Sequence, residues 1–122
     1  MLFEDLSLSK SIQKAVYEEG YTHPTPIQEQ AIPPALEGRD VIGCAQTGTG
    51  KTAAFVIPMI ERLSTLPKGQ PKALILAPTR ELALQTLTTI EKLGRSRRIS
   101  ATVIVGGADM QAQVRGLRQR PD

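Results

Sequence analysis

The chain has little cysteine, little aromatic content and no long apolar run. One cysteine, Cys44, among 122 residues excludes an internal disulfide. An aromatic content of 3% argues against a surface built to stack on many bases. No apolar run reaches the roughly 18 residues of a membrane helix, and the acidic start Met1–Asp5 differs from a basic signal peptide. We therefore expect a cytoplasmic protein without a membrane partner, with Cys44 buried and reduced.

The overall composition is that of a globular domain. With 40% hydrophobic and 22% charged residues, the chain is long enough to bury a core. The net charge of +3 suits a polyanionic partner without identifying one.

A glycine-rich segment gives the clearest chemical signal. Ala45–Thr52 reads AQTGTGKT and lies between the apolar Val41–Ile42 and a helix-forming stretch. Glycines let consecutive backbone N–H groups turn towards phosphates, and the helix N-terminus favours the same negative charge. Lys51 would add a cation for the outer phosphates, and Thr52 a hydroxyl for Mg²⁺. A flexible turn would also carry glycines, but the place between strand and helix favours phosphate binding.

Apolar periodicity and helix end signals predict the order of elements. Helices are predicted from Ser9 to about Glu19, from Thr25 or Pro26 towards Leu36, from Lys51 to about Leu63, from Thr79 to about Leu93, and from Asp109 to Arg118. The continuous apolar runs Ala73–Ala77 and Ala101–Val105 predict buried parallel strands, with a shorter one at Val41–Ile42. This alternation predicts an α/β fold, a parallel sheet with flanking helices. The loops that follow the strands should then share one rim of the sheet.

Three further segments allow two interpretations each. Gln28 lies three residues after Thr25, a spacing typical of a capping box that pairs two free N–H groups. Arg80 follows Pro78–Thr79 at a helix start, where a cation is unfavourable unless an anion is near. Gly106–Gly107 is either a turn or a place where backbone approaches a ligand.

Two sets of arginines add positive charge near these segments. They are Arg95, Arg97 and Arg98, and Arg115, Arg118 and Arg120. Both sets are interpreted as solvated, although they would also suit a nucleic-acid track.

Taken together, the segments resemble the DEAD-box family of ATP-dependent RNA helicases, from Phe3 to Gln113. Gly20–Gln28 is similar to the family's adenine-recognising Q motif, with Phe3 as its upstream aromatic residue. Ala45–Thr52 is similar to motif I, whose first residue is commonly alanine in the family. The resemblance implies that Tyr21 stacks on adenine and that Gln28 hydrogen-bonds its edge, alongside any capping role.

The resemblance also assigns the remaining ligand contacts. The implied ATP-binding residues are Phe3, Tyr21, Gln28, Gln46, Thr47, Gly48, Thr49, Gly50, Lys51 and Thr52, with Lys51 and Thr52 in catalysis and Thr52 on Mg²⁺. Pro78–Leu82 resembles motif Ia, and Gly106–Gly107 with Gln113 resembles the GG motif. The implied RNA-binding residues are Pro78, Thr79, Arg80, Gly106, Gly107 and Gln113. Single-stranded or short duplex RNA would be bound through its backbone, with little dependence on base sequence.

The family also implies parts that this sequence does not contain. No Asp-Glu-Ala-Asp motif, Ser-Ala-Thr motif or second recombinase-like domain is present. We therefore expect residues 1–31 to form a Q-motif region and residues 32–122 an incomplete P-loop NTPase domain of recombinase-like fold. This piece alone should neither turn over ATP nor unwind RNA. A non-catalytic nucleotide or RNA-binding module is the alternative. Another P-loop enzyme, such as a GTPase or small-molecule kinase, leaves Gly20–Gln28 and Pro78–Leu82 unexplained.

Overall fold

Five α-helices and two short 3-10 turns make up the regular structure of the chain, in a computed structural model that describes residues 1–122. The helices are α1 (Lys10–Glu18), α2 (Pro26–Leu36), α3 (Lys51–Leu63), α4 (Arg80–Gly94) and α5 (Met110–Arg118). The 3-10 turns span Phe3–Leu6 and Arg95–Arg97. The predicted helices are confirmed to within one residue at each end.

Local chemistry explains where the helices begin and end. α1 ends at Glu18, and the chain turns away at Gly20, whose φ of +81° suits glycine, while Tyr21 N donates to Val16 O at 3.1 Å. α2 begins with Pro26, whose missing N–H costs nothing at that position. α4 is capped by Thr79, whose hydroxyl accepts from Leu82 N at 3.2 Å. Each of these helix start and end signals can be identified from a few neighbouring residues in the sequence.

The hydrophobic core lies between the N-terminal segment, which includes α1, and the helices α2, α3 and α4. Thirteen buried residues form one cluster, drawn from the first 3-10 turn and its flank, α1, α2, α3 and α4. α3 is central to it, because Val56, Ile57 and Ile60 are fully buried. α3 therefore holds the glycine-rich segment, which leads directly into it, against the body of the domain.

The predicted strands do not form a hydrogen-bonded sheet. Residues 41–46, 74–77 and 101–104 make no backbone–backbone hydrogen bond. The prediction that these runs are fully buried is wrong, because Leu74, Leu76 and Ile104 are 85%, 86% and 55% exposed. Burial alternates along residues 73–77, as in an extended strand with one face on the core and no neighbour at its edges.

The burial predicted for Cys44 is wrong for the same reason. The thiol is exposed, and Ile42, two residues earlier, is 96% exposed. Without neighbouring strands, this segment contacts the helices on one side only.

Asp122 joins two of the unpaired segments at their beginnings. Its backbone oxygen accepts from Lys72 N at 2.7 Å and from Ala73 N at 3.1 Å, while its N–H donates to Ser100 O at 2.8 Å. Its carboxylate accepts from Ser100 N at 3.0 Å and from Lys68 Nζ at 2.9 Å. Burial alone raises the pKa of Asp122, but the Ser100 and Lys68 hydrogen bonds and the Lys68 charge outweigh it and hold that pKa below 3.8.

Asp122 should therefore stabilise the fold in its ionised form. Because its folded pKa is depressed, the contribution is complete above the unfolded pKa near 3.8 and is lost as the pH falls through the lower folded value. Urea unfolding at a series of pH values should show that Asp122→Asn is less stable than the unaltered protein at neutral pH. The difference in free energy of unfolding should shrink as the pH falls below 3.8.

The matched control is Asp40→Asn, an exposed carboxylate without a hydrogen bond or ion pair. It should leave the pH dependence unchanged. A gap between Asp122→Asn and the unaltered protein that stays constant down to strongly acidic pH would contradict the role of the Asp122 charge.

Candidate nucleotide and nucleic-acid site

The glycine-rich segment forms an open nest of backbone donors at the start of α3. Gly48 and Gly50 both have φ of +82°, a conformation that glycine adopts without strain. The N–H groups of residues 47–53 find no backbone acceptor. Since α3 is 13 residues long, its dipole adds positive potential at the same place. Unpaired donors with this potential fit an anion, and the phosphate-binding prediction is consistent with them.

Gln28 is attached to this nest. Its Nε2 donates to Gly50 O at 3.1 Å, and its Oε1 accepts from Thr25 N at 3.0 Å. The side chain is only 4% exposed. A Cβ at Gly50 would collide with Gln28 Nε2, so this contact requires glycine there for space as well as for backbone conformation.

The capping box predicted at Thr25 and Gln28 is present, with a hydrogen bond of normal geometry on the Gln28 side only. Gln28 accepts from Thr25 N as predicted, but Thr25 Oγ1 is buried and has no hydrogen-bond partner. A buried polar atom without a partner is costly. Beside Gly50 it is a free acceptor or donor at the edge of the proposed phosphate site.

Phe3 and Tyr21, which lie on either side of α1 in the sequence, stack on each other. Their ring centroids are 6.3 Å apart with 26° between the ring planes. Phe3 is 5% exposed and belongs to the core, whereas Tyr21 is 39% exposed. Tyr21 therefore has free ring surface for a planar ligand, and Phe3 supports the opposite side of the pair.

The residues predicted to contact RNA meet at a second place. Arg80 Nη2 lies 2.8 Å from the position that a Cβ on Gly107 would take, and Gly107 has φ of +80°. Gln113 Oε1 accepts from Val105 N at 2.7 Å, which fixes the strand-to-helix loop. Pro78, Thr79, Arg80 and Gly106 line one groove of about 530 Å³. The structure thus brings the predicted loops Pro78–Arg80 and Gly106–Gly107 together.

One residue of the arginine sets is placed differently from its prediction. Arg95 and Arg98 are exposed, as are Arg115, Arg118 and Arg120, in agreement with the solvated interpretation. That interpretation is wrong for Arg97, which is 22% exposed and bonded to Ser9 and Ser11. Those partners lie more than 80 positions earlier in the chain, so no local pattern pointed to them.

The chain has neither a metal-ligand cluster nor a helix suited to a bilayer. No cluster of three or more histidine, cysteine or acidic residues is arranged to hold a metal ion. None of the helices combines the length and apolar character needed to cross a bilayer.

Comparison with known proteins agrees with the geometry. The family model described as DEAD/DEAH box helicase matches residues 25–122. The chain is 50% identical over 121 residues to the ATP-dependent RNA helicase CshA of Limosilactobacillus reuteri, covering 99% of this chain and 24% of that protein. It is 52% identical over 119 residues to the ATP-dependent rRNA helicase rrp3 of Aspergillus terreus, covering 98% and 26%.

Solved structures show the same fold. The RNA helicase Prp28 from Chaetomium thermophilum bound to ADP superposes with a TM-score of 0.88 at 43% identity, over 96% of this chain and 30% of that one. A DEAD box protein from the hyperthermophile Methanococcus jannaschii gives 0.87 at 38% identity, over 96% and 32%. The chain thus has the fold of the corresponding part of these P-loop helicase domains.

This chain spans about a quarter of the length of the CshA and rrp3 helicases. The match to the family model nevertheless covers most of the chain, including the glycine-rich segment, Gln28 and Arg80. The chain belongs to the DEAD/DEAH box helicase family.

Proposed function

We propose that the protein carrying this chain is an ATP-dependent RNA helicase, in which ATP binding and hydrolysis are coupled to RNA binding and local duplex separation. The observation that carries this proposal is the hydrogen bond between Gln28 Nε2 and Gly50 O. It attaches a side chain able to recognise a base to the loop able to hold phosphates.

The phosphates of ATP fit the open nest at the start of α3. The unpaired N–H groups of residues 47–53 would donate to phosphate oxygens, together with the ammonium of Lys51. Gln46, Thr47 and Thr49 form the wall of this loop, where Thr49 Oγ1 donates to Gln46 O at 2.5 Å. Since no acidic cluster lies nearby, Mg²⁺ would be held mainly by the phosphates, with the Thr52 hydroxyl as its ligand from this chain.

Gln28 retains one free hydrogen-bond donor and one free acceptor with which it can recognise adenine. A glutamine amide offers two donors and two acceptor lone pairs, and Gly50 and Thr25 use one of each. The donor and acceptor that remain match the N7 acceptor and N6 amino donor of adenine. Guanine presents an acceptor where adenine presents N6, so it would lose one bond. Tyr21 would cover the face of the base, with Phe3 behind it.

RNA would bind where Arg80 and Gly107 meet. An arginine at a helix N-terminus is favourable when an anion shares the site, and Arg80 forms no ion pair within the chain. Pro78, Thr79, Gly106 and the Gln113-fixed loop would shape the surface for a sugar–phosphate backbone. Such contacts carry little sequence information.

The three unpaired segments belong, we propose, to a parallel sheet of the whole domain. Grooves of about 630 Å³ and about 530 Å³ lie beside them, the first lined by Val41, Gly43 and Ala73, and the second by residues 73–79 and 99–106. Open backbone groups and exposed apolar side chains at both grooves suit further strands of the domain. Residues 1–31 would then be the Q-motif region and residues 32–122 part of a recombinase-like domain that works with a second such domain, in the cytoplasm.

Lys51 should contribute strongly to phosphate binding. Removing a charged donor to phosphate costs about 1.5–3 kcal/mol, so Lys51→Ala in the whole protein should weaken ATP about 10- to 100-fold. Titration calorimetry with ATP and Mg²⁺ measures this. Lys10→Ala is the matched control, because Lys10 is also an exposed lysine at the first position of a helix. Equal ATP affinity of both variants would contradict the role of Lys51.

Gln28 should determine the preference for adenine. Gln28→Glu keeps the acceptor for Thr25 N but replaces the donor to Gly50 O and to adenine N7 with an oxygen. We expect the ratio of ATP to GTP affinity to fall towards one, a loss of about 1–3 kcal/mol for ATP. Gln30→Glu, the same change at an exposed position of α2, should leave the ratio unaltered. If the unaltered protein binds ATP and GTP equally, Gln28 does not read the base.

Arg80 should contact an RNA phosphate. Arg80→Ala should weaken single-stranded RNA binding similarly for different sequences and lower the salt dependence of log K by about one unit. Fluorescence anisotropy with two unrelated RNA oligonucleotides over a salt series measures both quantities. Arg118→Ala, an exposed arginine on α5, is the control. An equal loss in both variants would indicate diffuse attraction instead of a contact at Arg80.

A further inference from the structure

Arg97 is held in an unusually constrained turn at the end of α4. The 3-10 turn Arg95–Arg97 is followed by Arg98 in a left-handed conformation with φ of +53°, and Ile99 N donates back to Gly94 O at 3.1 Å. A Cβ on Gly94 would come 2.9 Å from Ile99 Cβ, so the turn closes tightly at this glycine. This geometry directs Arg97 back onto the N-terminal segment.

Arg97 takes part in a four-residue network that we call the Arg97 cluster, made of Ser9, Ser11, Glu61 and Arg97. Arg97 Nε donates to Ser11 Oγ at 2.6 Å, and Arg97 Nη2 donates to Ser9 Oγ. Glu61 Oε1 accepts from Ser9 Oγ at 2.6 Å and from Ser9 N at 2.9 Å. Arg97 Nη2 lies 3.7 Å from Glu61 Oε2, with both side chains mostly shielded from solvent.

The cluster connects the two halves of the proposed nucleotide site. Ser9 immediately precedes α1, the first 3-10 turn before it carries Phe3, and the far end of α1 leads into Tyr21. Glu61 belongs to α3, whose first residue is Lys51. The cluster therefore fixes the segment that carries the stacked aromatic pair onto the helix that follows the phosphate loop. A weaker ion pair between Lys92 and Glu19, at 3.7 Å, holds the opposite end of α1 to α4.

We propose that Arg97 is a positioning residue for base recognition: through Ser9, Ser11 and Glu61 it sets where Tyr21 lies relative to the phosphate loop. The inference rests on the proposed ATP site. α1 has 9 residues and is thus about 14 Å long, so a pivot of about 10° at its N-terminal end moves its C-terminal end by about 2 Å. A binding constellation tolerates displacements of about 0.5 Å. Phosphate binding needs only α3 and its loop, and Val56, Ile57 and Ile60 anchor α3 in the core in addition to the Arg97 cluster.

The test compares Arg97→Ala, Arg97→Lys and Arg95→Ala in the whole protein. Calorimetry would measure the affinities for ATP, GTP and inorganic tripolyphosphate, each with Mg²⁺. We expect Arg97→Ala to weaken ATP about 5- to 10-fold while tripolyphosphate affinity changes less than 2-fold. Arg97→Lys should be intermediate, since an ammonium replaces the guanidinium fork. Arg95→Ala removes the same charge from the same turn, and should behave as the unaltered protein because its side chain is exposed and unbonded.

A double-mutant cycle with Tyr21→Ala separates positioning from general stability. If Arg97 acts through Tyr21, Arg97→Ala should cause no further loss of ATP affinity once Tyr21 has been removed. Should Arg97→Ala fail to fold, as judged by circular dichroism, Ser11→Ala is the second variant. It removes the acceptor of Arg97 Nε and a 3.3 Å contact with Ser9 Oγ, keeps the bond from Arg97 to Ser9, and should give a smaller loss of the same kind.

Three results would overturn the inference. Equal losses for ATP and tripolyphosphate would assign Arg97 a general structural role. Additive losses in the cycle with Tyr21→Ala would show that it does not act through that ring. Unchanged ATP affinity in folded Arg97→Ala would remove the role altogether. Absence of ATP binding by the unaltered protein would instead overturn the proposed function, and this inference with it.

Discussion

The rest of the site depends on the two hydrogen bonds made by the buried amide of Gln28. It holds the start of α2 through Thr25 N and the start of α3 through Gly50 O. Two helix N-termini that are 25 residues apart in sequence are thereby kept in register around one small side chain. Because Gly50 has no Cβ and a left-handed backbone, the amide can approach the loop closely. The proposed phosphate and base contacts both follow from this packing.

Helices could be predicted from the sequence because their signals are local. Pro26, Thr79 and Gly20 act within a turn of where they stand, so helix bounds agreed to within a residue. Loops were predictable where a glycine needed positive φ, as at Gly48, Gly50 and Gly107. The Gln28–Gly50 contact was not predictable from the sequence, since a capping box already explains the spacing of Thr25 and Gln28.

Strand burial was predicted wrongly because it depends on neighbours that periodicity does not identify. A continuous apolar run predicts that both faces and both edges are covered, yet Leu74 and Leu76 face outward here. Cys44 was misplaced by the same assumption. Arg97 was misplaced for the opposite reason: an arginine-rich turn is usually solvated, and its partners come from the other end of the chain. Contacts between distant segments need the folded structure.

The open edges beside Leu74, Leu76 and Ile104 have a consequence for self-association. Unpaired strand backbone with apolar side chains is a template on which another chain can add a strand. Because Leu74, Leu76 and Ile104 are exposed, residues 1–122 on their own present such a template to solvent. Asp122 holds the starts of two of the unpaired segments together and so keeps them fixed at that end.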